Sequence, residues 1–517
     1  MSNATELVRS LAVYGLCLPL AIFLGYLLAN PLDFNSLVVT GLILFLLLVP
    51  LLLRWHHAWL IAAWNMSAVV FFMPGRPPVW TALAVLSLAI GILQYAINRN
   101  AKFLSVPAVT WPLLFLGLVV LITASLRGGI GLRVFGSSSY GGRNYFGIIA
   151  AIVGYFAITS RRIPPKRAVL YVTLFFLGSA TMAIGDLPMV LPREFNFVYL
   201  IFPLLESGSD AIQDTSVVGA TSDFARRVTG LGFLSGGLFC AMMARYGLRG
   251  IFLELTKPWR ALLLVIVIGI GMLGGFRSTV VIMLMIFAVL FYMERLHQTR
   301  ILLVLLVVMI LGGTLMVTFA NRLPFMMQRS IAFLPVNIDP LARFSAASSS
   351  EWRLQMWRDL LPQIPQYLFL GKGYSFSAGE LFMTEFRGAG TEGAVLAGDY
   401  HNGPLSVIIP FGIFGSLAFA WFLWAGCRVT YQNFLFGDPA YHRINTFLFV
   451  FFLVKIVFFM TVFGGLVVDL TMFVGLVGLS ISLNGGVAKR AVAPQAEPQA
   501  AFTRFKLHPA ARRPVGV

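Results

Sequence analysis

The chain has 517 residues, of which 58% are hydrophobic and only 11% charged, with a mean hydropathy of +0.85. Soluble domains are about a quarter charged, so a soluble protein is excluded. Three cysteines exclude a disulfide scaffold, and 46 phenylalanines in long apolar runs exclude intrinsic disorder. The net charge of +18 would suggest nucleic acid in a soluble chain. In a polytopic membrane protein it must first be divided between the two membrane faces.

A spanning helix needs about 20 mostly apolar residues. Fourteen such stretches are expected, at 11–30, 36–53, 58–73, 79–97, 107–126, 144–159, 168–187, 228–244, 261–276, 278–293, 301–319, 407–427, 444–463 and 466–484. The first follows a single Arg9 and precedes no clear small-residue cleavage site, so it reads as a span and not a secretory signal. Residues 261–293 are apolar except near Arg277. One helix over them would run about 50 Å, beyond a core of ~30 Å. A hairpin turning at GGFRS (274–278) is the more natural reading.

With that hairpin, both termini and the even-numbered connections share one side. That side holds 22 of the 38 basic residues and five of the 20 acidic ones. Lys/Arg bias in short connections marks the cytoplasm, so most of the +18 is an orientation signal. The expected fold is an all-α polytopic membrane protein of about 14 transmembrane helices, with 12–14 plausible. Residues 1–319 carry spans one to eleven, and 320–406 form a large, partly helical periplasmic loop. Residues 407–485 carry the last three spans, and the Ala/Pro/Arg-rich 486–517 form a disordered basic cytoplasmic tail. Lys455 and Asp469 fall inside the last two spans and are expected to pair across the hairpin.

The external loop holds the candidate chemistry. SSSEWRLQMWRDLLP (348–362) has a helix start and a proline stop. At about 100° per residue, Arg353 lies in the middle of an apolar face with Trp357, whereas Arg358 lies on the polar face. An arginine aimed into apolar surroundings needs a partner; snorkelling to lipid headgroups or a structural ion pair is the bland alternative. In YLFLGKGYSFS (367–377), Gly371 and Gly373 suggest a tight turn before Tyr374. GDYHNGPLS (398–406) carries His401, the only external histidine of six, and Asn402. Histidine is the side chain best poised to move a proton near neutral pH; a structural hydrogen bond is the competing role. One external histidine and no external cysteine argue against a His/Cys metal site. A carboxylate site built from Asp399, Glu392, Glu385 or Glu380 stays open. SYGGRNYFG (139–147) and FARRVTGLG (224–232) place Arg143, Arg226 and Arg227 at the mouths of spans, where arginines suit phosphate oxygens.

The ordered set RVTGLG (227–232), GGFRSTVV (274–281), EWRLQMW (351–357), LGKGYS (370–375) and YHNGPLSVIIPFGIFG (400–415) resembles the O-antigen ligase family, which includes O-antigen polymerase-like enzymes. The resemblance covers about 224–430. It implies a GT-C-like membrane glycosyltransferase in the bacterial inner membrane, working at its periplasmic face in polysaccharide or lipopolysaccharide biosynthesis. Such an enzyme takes a glycan from an undecaprenyl-pyrophosphate carrier to an acceptor hydroxyl, with inversion and with no metal or other cofactor. The acceptor is lipid A-core, another glycan or a protein. On this resemblance Arg277 and Arg353 stabilise the leaving diphosphate, and His401 accepts or orients the acceptor hydroxyl proton. Arg143, Arg227, Asn402, Trp357, Gly371, Gly373 and Tyr374 are the expected substrate-binding residues. The expected partners are these substrates and membrane lipids, with no nucleic acid. A lipid-linked oligosaccharide flippase or other transporter is the main alternative, and an envelope scaffold the second.

Overall fold

The computed structural model describes residues 14–15, 17–25, 34–97, 103–131, 140–189, 191–204, 228–387 and 391–490. The helices that matter here are α1 (Phe34–Ala63), α2 (Val79–Ile97), α3 (Pro107–Arg127), α4 (Gly142–Thr159), α5 (Pro165–Met189), α6 (Thr229–Phe252), α7 (Trp259–Leu273) and α8 (Arg277–Met293). They continue with α9 (Ile301–Phe319), the short α10 (Phe325–Ser330), α11 (Pro340–Leu360), α12 (Ala378–Arg387), α13 (Glu392–Ala397), α14 (Gly403–Phe436), α15 (His442–Thr461) and α16 (Leu466–Asn484).

Among the described residues, eight helices are long and apolar enough to cross a membrane, or nine if the bent pair within α1 is one span. The expectation of fourteen is corrected for identifiable reasons. The stretch at 58–73 is not a helix of its own. Its first residues end α1, which bends by 104° between 41–51 and 53–63. Residues 65–69 then run on as irregular chain against α5. Asn65 donates to the Phe175 carbonyl (2.7 Å), the Ser67 N–H to Thr181 Oγ1 (3.0 Å) and the Val69 N–H to the Ile201 carbonyl (2.8 Å). Non-helical backbone survives at such a depth only where protein satisfies its polar groups. α7 and α8 have 15 and 17 residues, shorter than a full crossing. α4 opens on Gly142, Arg143 and Asn144, which lower its apolar character. The first expected stretch lies partly outside the described residues, and the tail from 491 wholly so.

The hairpin at 274–278 is present. Gly275 takes a positive φ of 73° between α7 and α8. α7 runs antiparallel to α6, since Ser235 Oγ donates to the Val267 carbonyl (2.5 Å) while Arg260 donates to the Gly250 carbonyl (2.8 Å). α8 runs parallel to α6: Gly232 lies against Phe276 and Thr279 at one end, and Glu294 accepts the Leu248 and Arg249 N–H groups at the other. Arg277 therefore stands at the same end of the bundle as the long segment 320–406.

α14 has 34 residues and is broken near its start. Pro410 cannot donate a helical hydrogen bond, and Gly412 has a φ of 61°. The exposed backbone groups are taken up by the glycine turn of the long segment. Lys372 and Gly373 N–H groups donate to the Ile409 and Pro410 carbonyls (2.7 and 3.0 Å), and the Ile413 N–H donates to the Leu368 carbonyl (2.6 Å). At the opposite end an amide cluster ties α14, α15 and α16. Asn433 donates to Ser480 Oγ (2.9 Å), and Asn445 and Asn484 exchange side-chain bonds of 3.0 and 2.9 Å. The expected pair inside the last two helices forms, with Lys455 Nζ 2.6 Å from Asp469 Oδ1.

Candidate active site

The site is organised by α11. Asp339 caps its N-terminus by accepting the Leu341 N–H (2.8 Å). Arg277, in the first turn of α8, reaches across to it and donates through Nη2 to the Ala346 carbonyl and to Ser350 Oγ, both at 3.1 Å. Arg353 is one turn further on, three residues from Ser350 and so on the same side of the helix. Its guanidinium carbon lies 5.8 Å from the centre of the Phe463 ring, in the turn between α15 and α16. Both arginines are half-buried.

His401 completes the group. Its ring is 8% exposed and is boxed by Phe463 (5.2 Å between ring centres) and by Trp352 edge-on (5.5 Å). Phe463 thus touches both Arg353 and His401. The backbone at His401 has a φ of 49°, which a non-glycine residue adopts only at a cost of about 1–3 kcal/mol. Its neighbours impose that geometry. The Tyr400 carbonyl accepts from Trp357 Nε1 (2.9 Å), and the Asn402 side chain caps α14 by accepting the Leu405 N–H (3.0 Å). Asp399 Oδ1 lies 3.6 Å from His401 Nδ1, outside hydrogen-bond range but close enough to stabilise an imidazolium.

The remaining expected residues fall into three groups. Gly371 and Gly373 are buried, with φ of 70° and 72°. A Cβ on Gly371 would strike the Pro410 carbonyl, and one on Gly373 would come within 2.5 Å of the Tyr145 hydroxyl. Tyr374 is buried too; its N–H donates to the Tyr145 hydroxyl (2.8 Å), and Arg127 Nε donates to the Gly371 carbonyl (2.9 Å). These residues, with Trp357 and Asn402, hold the loop on the helix ends. Arg143 is exposed at the start of α4, and beside it Asn144 donates to the Ala397 carbonyl (3.0 Å). Arg226 and Arg227 lie outside the described residues.

Burial pushes the Tyr374 phenol well above its ordinary range, with Tyr400 and Tyr145 adding to the effect. Burial raises Tyr400 likewise. Both therefore stay neutral near pH 7. The carboxylates named as possible metal ligands are dispersed: Glu380 closes a capping box with Ser377 (2.7 and 3.0 Å), and Asp399 sits beside His401. The Ser377 N–H and hydroxyl hold the Glu380 carboxyl below its usual range. The side chain of Glu385 lies outside the described residues. Among the described residues no three His, Cys, Asp or Glu side chains come together as a metal site.

Three participants were not singled out from sequence as neighbours of His401 or Arg277: Phe463, Asp399 and Ser350. Asp399 had a local signal, an acid two residues before a histidine next to a glycine. Phe463 had none, because only the return of the α15–α16 hairpin brings it there.

Residues 230–420 match the family model for O-antigen ligase. The chain carries an O-antigen ligase domain. The match runs from the first turn of α6 into α14 and contains Arg277, Arg353 and His401. Over these residues the chain is similar to O-antigen ligases, membrane proteins of envelope polysaccharide biosynthesis, and its candidate spans make it a multi-pass membrane protein. No curated protein matches the chain.

Proposed function

We propose that this O-antigen ligase-domain protein transfers a glycan from an undecaprenyl-pyrophosphate carrier to an acceptor hydroxyl at the periplasmic face of the inner membrane. Both termini then lie in the cytoplasm, as the basic connections require. The observation that carries the reading is the meeting of Arg277, Arg353 and His401 around α11 and Phe463.

The residues fit an inverting displacement. The acceptor oxygen attacks the anomeric carbon, and the bond from that carbon to the diphosphate oxygen breaks with its electron pair leaving on the diphosphate. Negative charge grows there, and Arg277 and Arg353 stabilise it; preplaced donors of this kind contribute roughly 10²–10³ in rate each. His401 takes the proton of the acceptor hydroxyl, and Asp399 stabilises the imidazolium that results. General-base catalysis contributes about 10²–10⁴. Trp357, Gly371, Gly373, Tyr374 and Asn402 fix the loop against the membrane helices and shape the groove for substrate. Arg143 and Arg227 stand as outer contacts for the glycan carrier. Lipid A-core, a growing glycan and a protein are the acceptor classes, and groove shape selects among them.

One assay tests the proposal. Purified membranes receive one undecaprenyl-pyrophosphate-linked glycan and several acceptors, and products are identified by mass spectrometry. Wild-type protein should glycosylate one acceptor class. His401→Ala should lower turnover at least 100-fold at normal protein level, and Arg277→Ala similarly, with Arg277→Lys intermediate. Near-normal turnover in His401→Ala would remove it as the base, and no product from any acceptor would sink the transferase reading.

A further inference from the structure

Two arginines are more than nine-tenths buried among the described residues: Arg260 (8% exposed) and Arg329 (4%). They differ in what surrounds them. Arg260, in the α6–α7 hairpin, is paired with Glu254, donates to the Gly250 carbonyl (2.8 Å) and lies 4.2 Å from the Tyr246 ring centre. Arg329 has no carboxylate in ion-pair range among the described residues, and its Nη1 has no hydrogen-bond partner there. A buried guanidinium without a counter-charge is strongly unfavourable. Its persistence calls for an anion that occupies the place for part of the protein's cycle.

The placement names the anion. Arg329 sits on α10, which is fixed on both sides of it. Gln328 donates to the Asn321 and Leu323 carbonyls (3.2 and 2.7 Å) and accepts the Asp339 N–H (2.7 Å); Ser330 Oγ donates to the Met272 carbonyl (3.2 Å). α10 therefore packs on the ends of α7 and α8 and on the start of α11. Those are the elements that present Arg277 and receive its hydrogen bonds at Ala346 and Ser350.

We propose that Arg329 is a further diphosphate-binding residue, which receives the phosphate oxygens of the lipid-linked donor on the Arg277 side of the site. The inference rests on the transferase reading above. Arg329 carries a buried charge with no carboxylate beside it among the described residues, and the donor's diphosphate neutralises it. A monophosphate held at Arg277 alone leaves Arg329 unmatched, so a diphosphate is favoured over a monophosphate. The same device gives the protein a reason to release a spent carrier slowly, since loss of the diphosphate re-exposes the buried charge.

The test uses the full chain in lipid nanodiscs, with undecaprenyl diphosphate lacking any glycan as the probe. Undecaprenyl monophosphate and added phosphatidylglycerol are the comparison ligands. Arg329→Met should weaken diphosphate binding at least tenfold and monophosphate binding less. It should leave the ligand-free Tm equal to or above wild type, because it removes an unpaired buried charge. Arg322→Met, an exposed arginine over Phe319, should leave binding unchanged. Diphosphate affinity within twofold of wild type in a folded Arg329→Met protein would overturn the proposal. Equal weakening toward diphosphate and phosphatidylglycerol would overturn it too, as it would mark a general headgroup site. Should Arg329→Met fail to fold, Arg329→Lys decides by the loss or retention of diphosphate-over-monophosphate preference. A wild-type protein that does not bind undecaprenyl diphosphate at all would instead refute the transferase reading.

Discussion

α9 and α16 look alike as strings of apolar residues, and both are long enough to span. In the structure they are opposites. Of the best spanning window, 78% is buried in α16 and none in α9. Lipid tails are as apolar as leucine, so burying leucine does not drive two membrane helices together; close packing and polar contacts do. α16 has both. Gly475 admits the Trp64 indole, which donates to the Thr471 carbonyl (3.0 Å), and Gly478 lies against Ile158. Asn484, Ser480 and Asp469 bind neighbours on α14 and α15. α9 has the glycines, Gly312 and Gly313, but nothing lies within 4 Å of where their Cβ atoms would be. It touches the rest mainly at its ends, through Ile301, Leu302 and Leu305 at one and Met316 and Ala320 at the other.

The comparison can be broken at three places. The largest effect is expected at the α15–α16 ion pair. Lys455→Met leaves Asp469 buried and unpaired, and should destabilise by about 3–5 kcal/mol. Lys455→Met with Asp469→Leu should recover most of that loss in a thermal melt; failure of the double variant to recover would show that the charge itself is needed. Next, Gly475→Val should drive a side chain into Trp64 and cost about 1–3 kcal/mol. A neutral Gly475→Val would mean that the α1–α16 contact gives way easily. The smallest effect is expected on α9, where Gly312→Ala should stay within about 0.5 kcal/mol of wild type. A clear loss of Tm there would reveal a partner helix that covers α9.

The fold was legible where local chemistry decides it. A hairpin at 274–278 follows from length alone, because 33 apolar residues overrun one membrane thickness and Gly275 can turn. The pairing of Lys455 with Asp469 follows from the cost of either charge alone in a bilayer. The stretch at 58–73 has the hydrophobicity of a span but not the backbone of one. Its backbone leaves the helix at Ala63, and α5 together with the Ile201 carbonyl supplies hydrogen bonds that permit this. The glycine turn at 371–373 was legible as a turn. Its purpose was not, since the carbonyls it binds belong to a helix break nearly forty residues later at Pro410 and Gly412.

Of the candidate residues, Arg277 and Arg353 stand out as charges in apolar stretches, and His401 as the only histidine expected on the external side. Arg329 did not stand out, because a single arginine in RSIAFLP shows no sign that α10, α8 and α11 will close around it. The strained φ at His401 is likewise set by the Trp357 bond to the Tyr400 carbonyl and by the Asn402 cap. By itself the sequence determined that this is a helical membrane protein, since apolar length is a property of segments. It also singled out Arg277 and Arg353 as candidates, because a charge in an apolar neighbourhood is visible at short range. Only the tertiary structure decided which helices pack and which face lipid, where the chain breaks inside the bundle, and which guanidiniums lack a partner. Those outcomes depend on shape and hydrogen-bond partners from distant parts of the chain, and hydrophobicity carries no record of either.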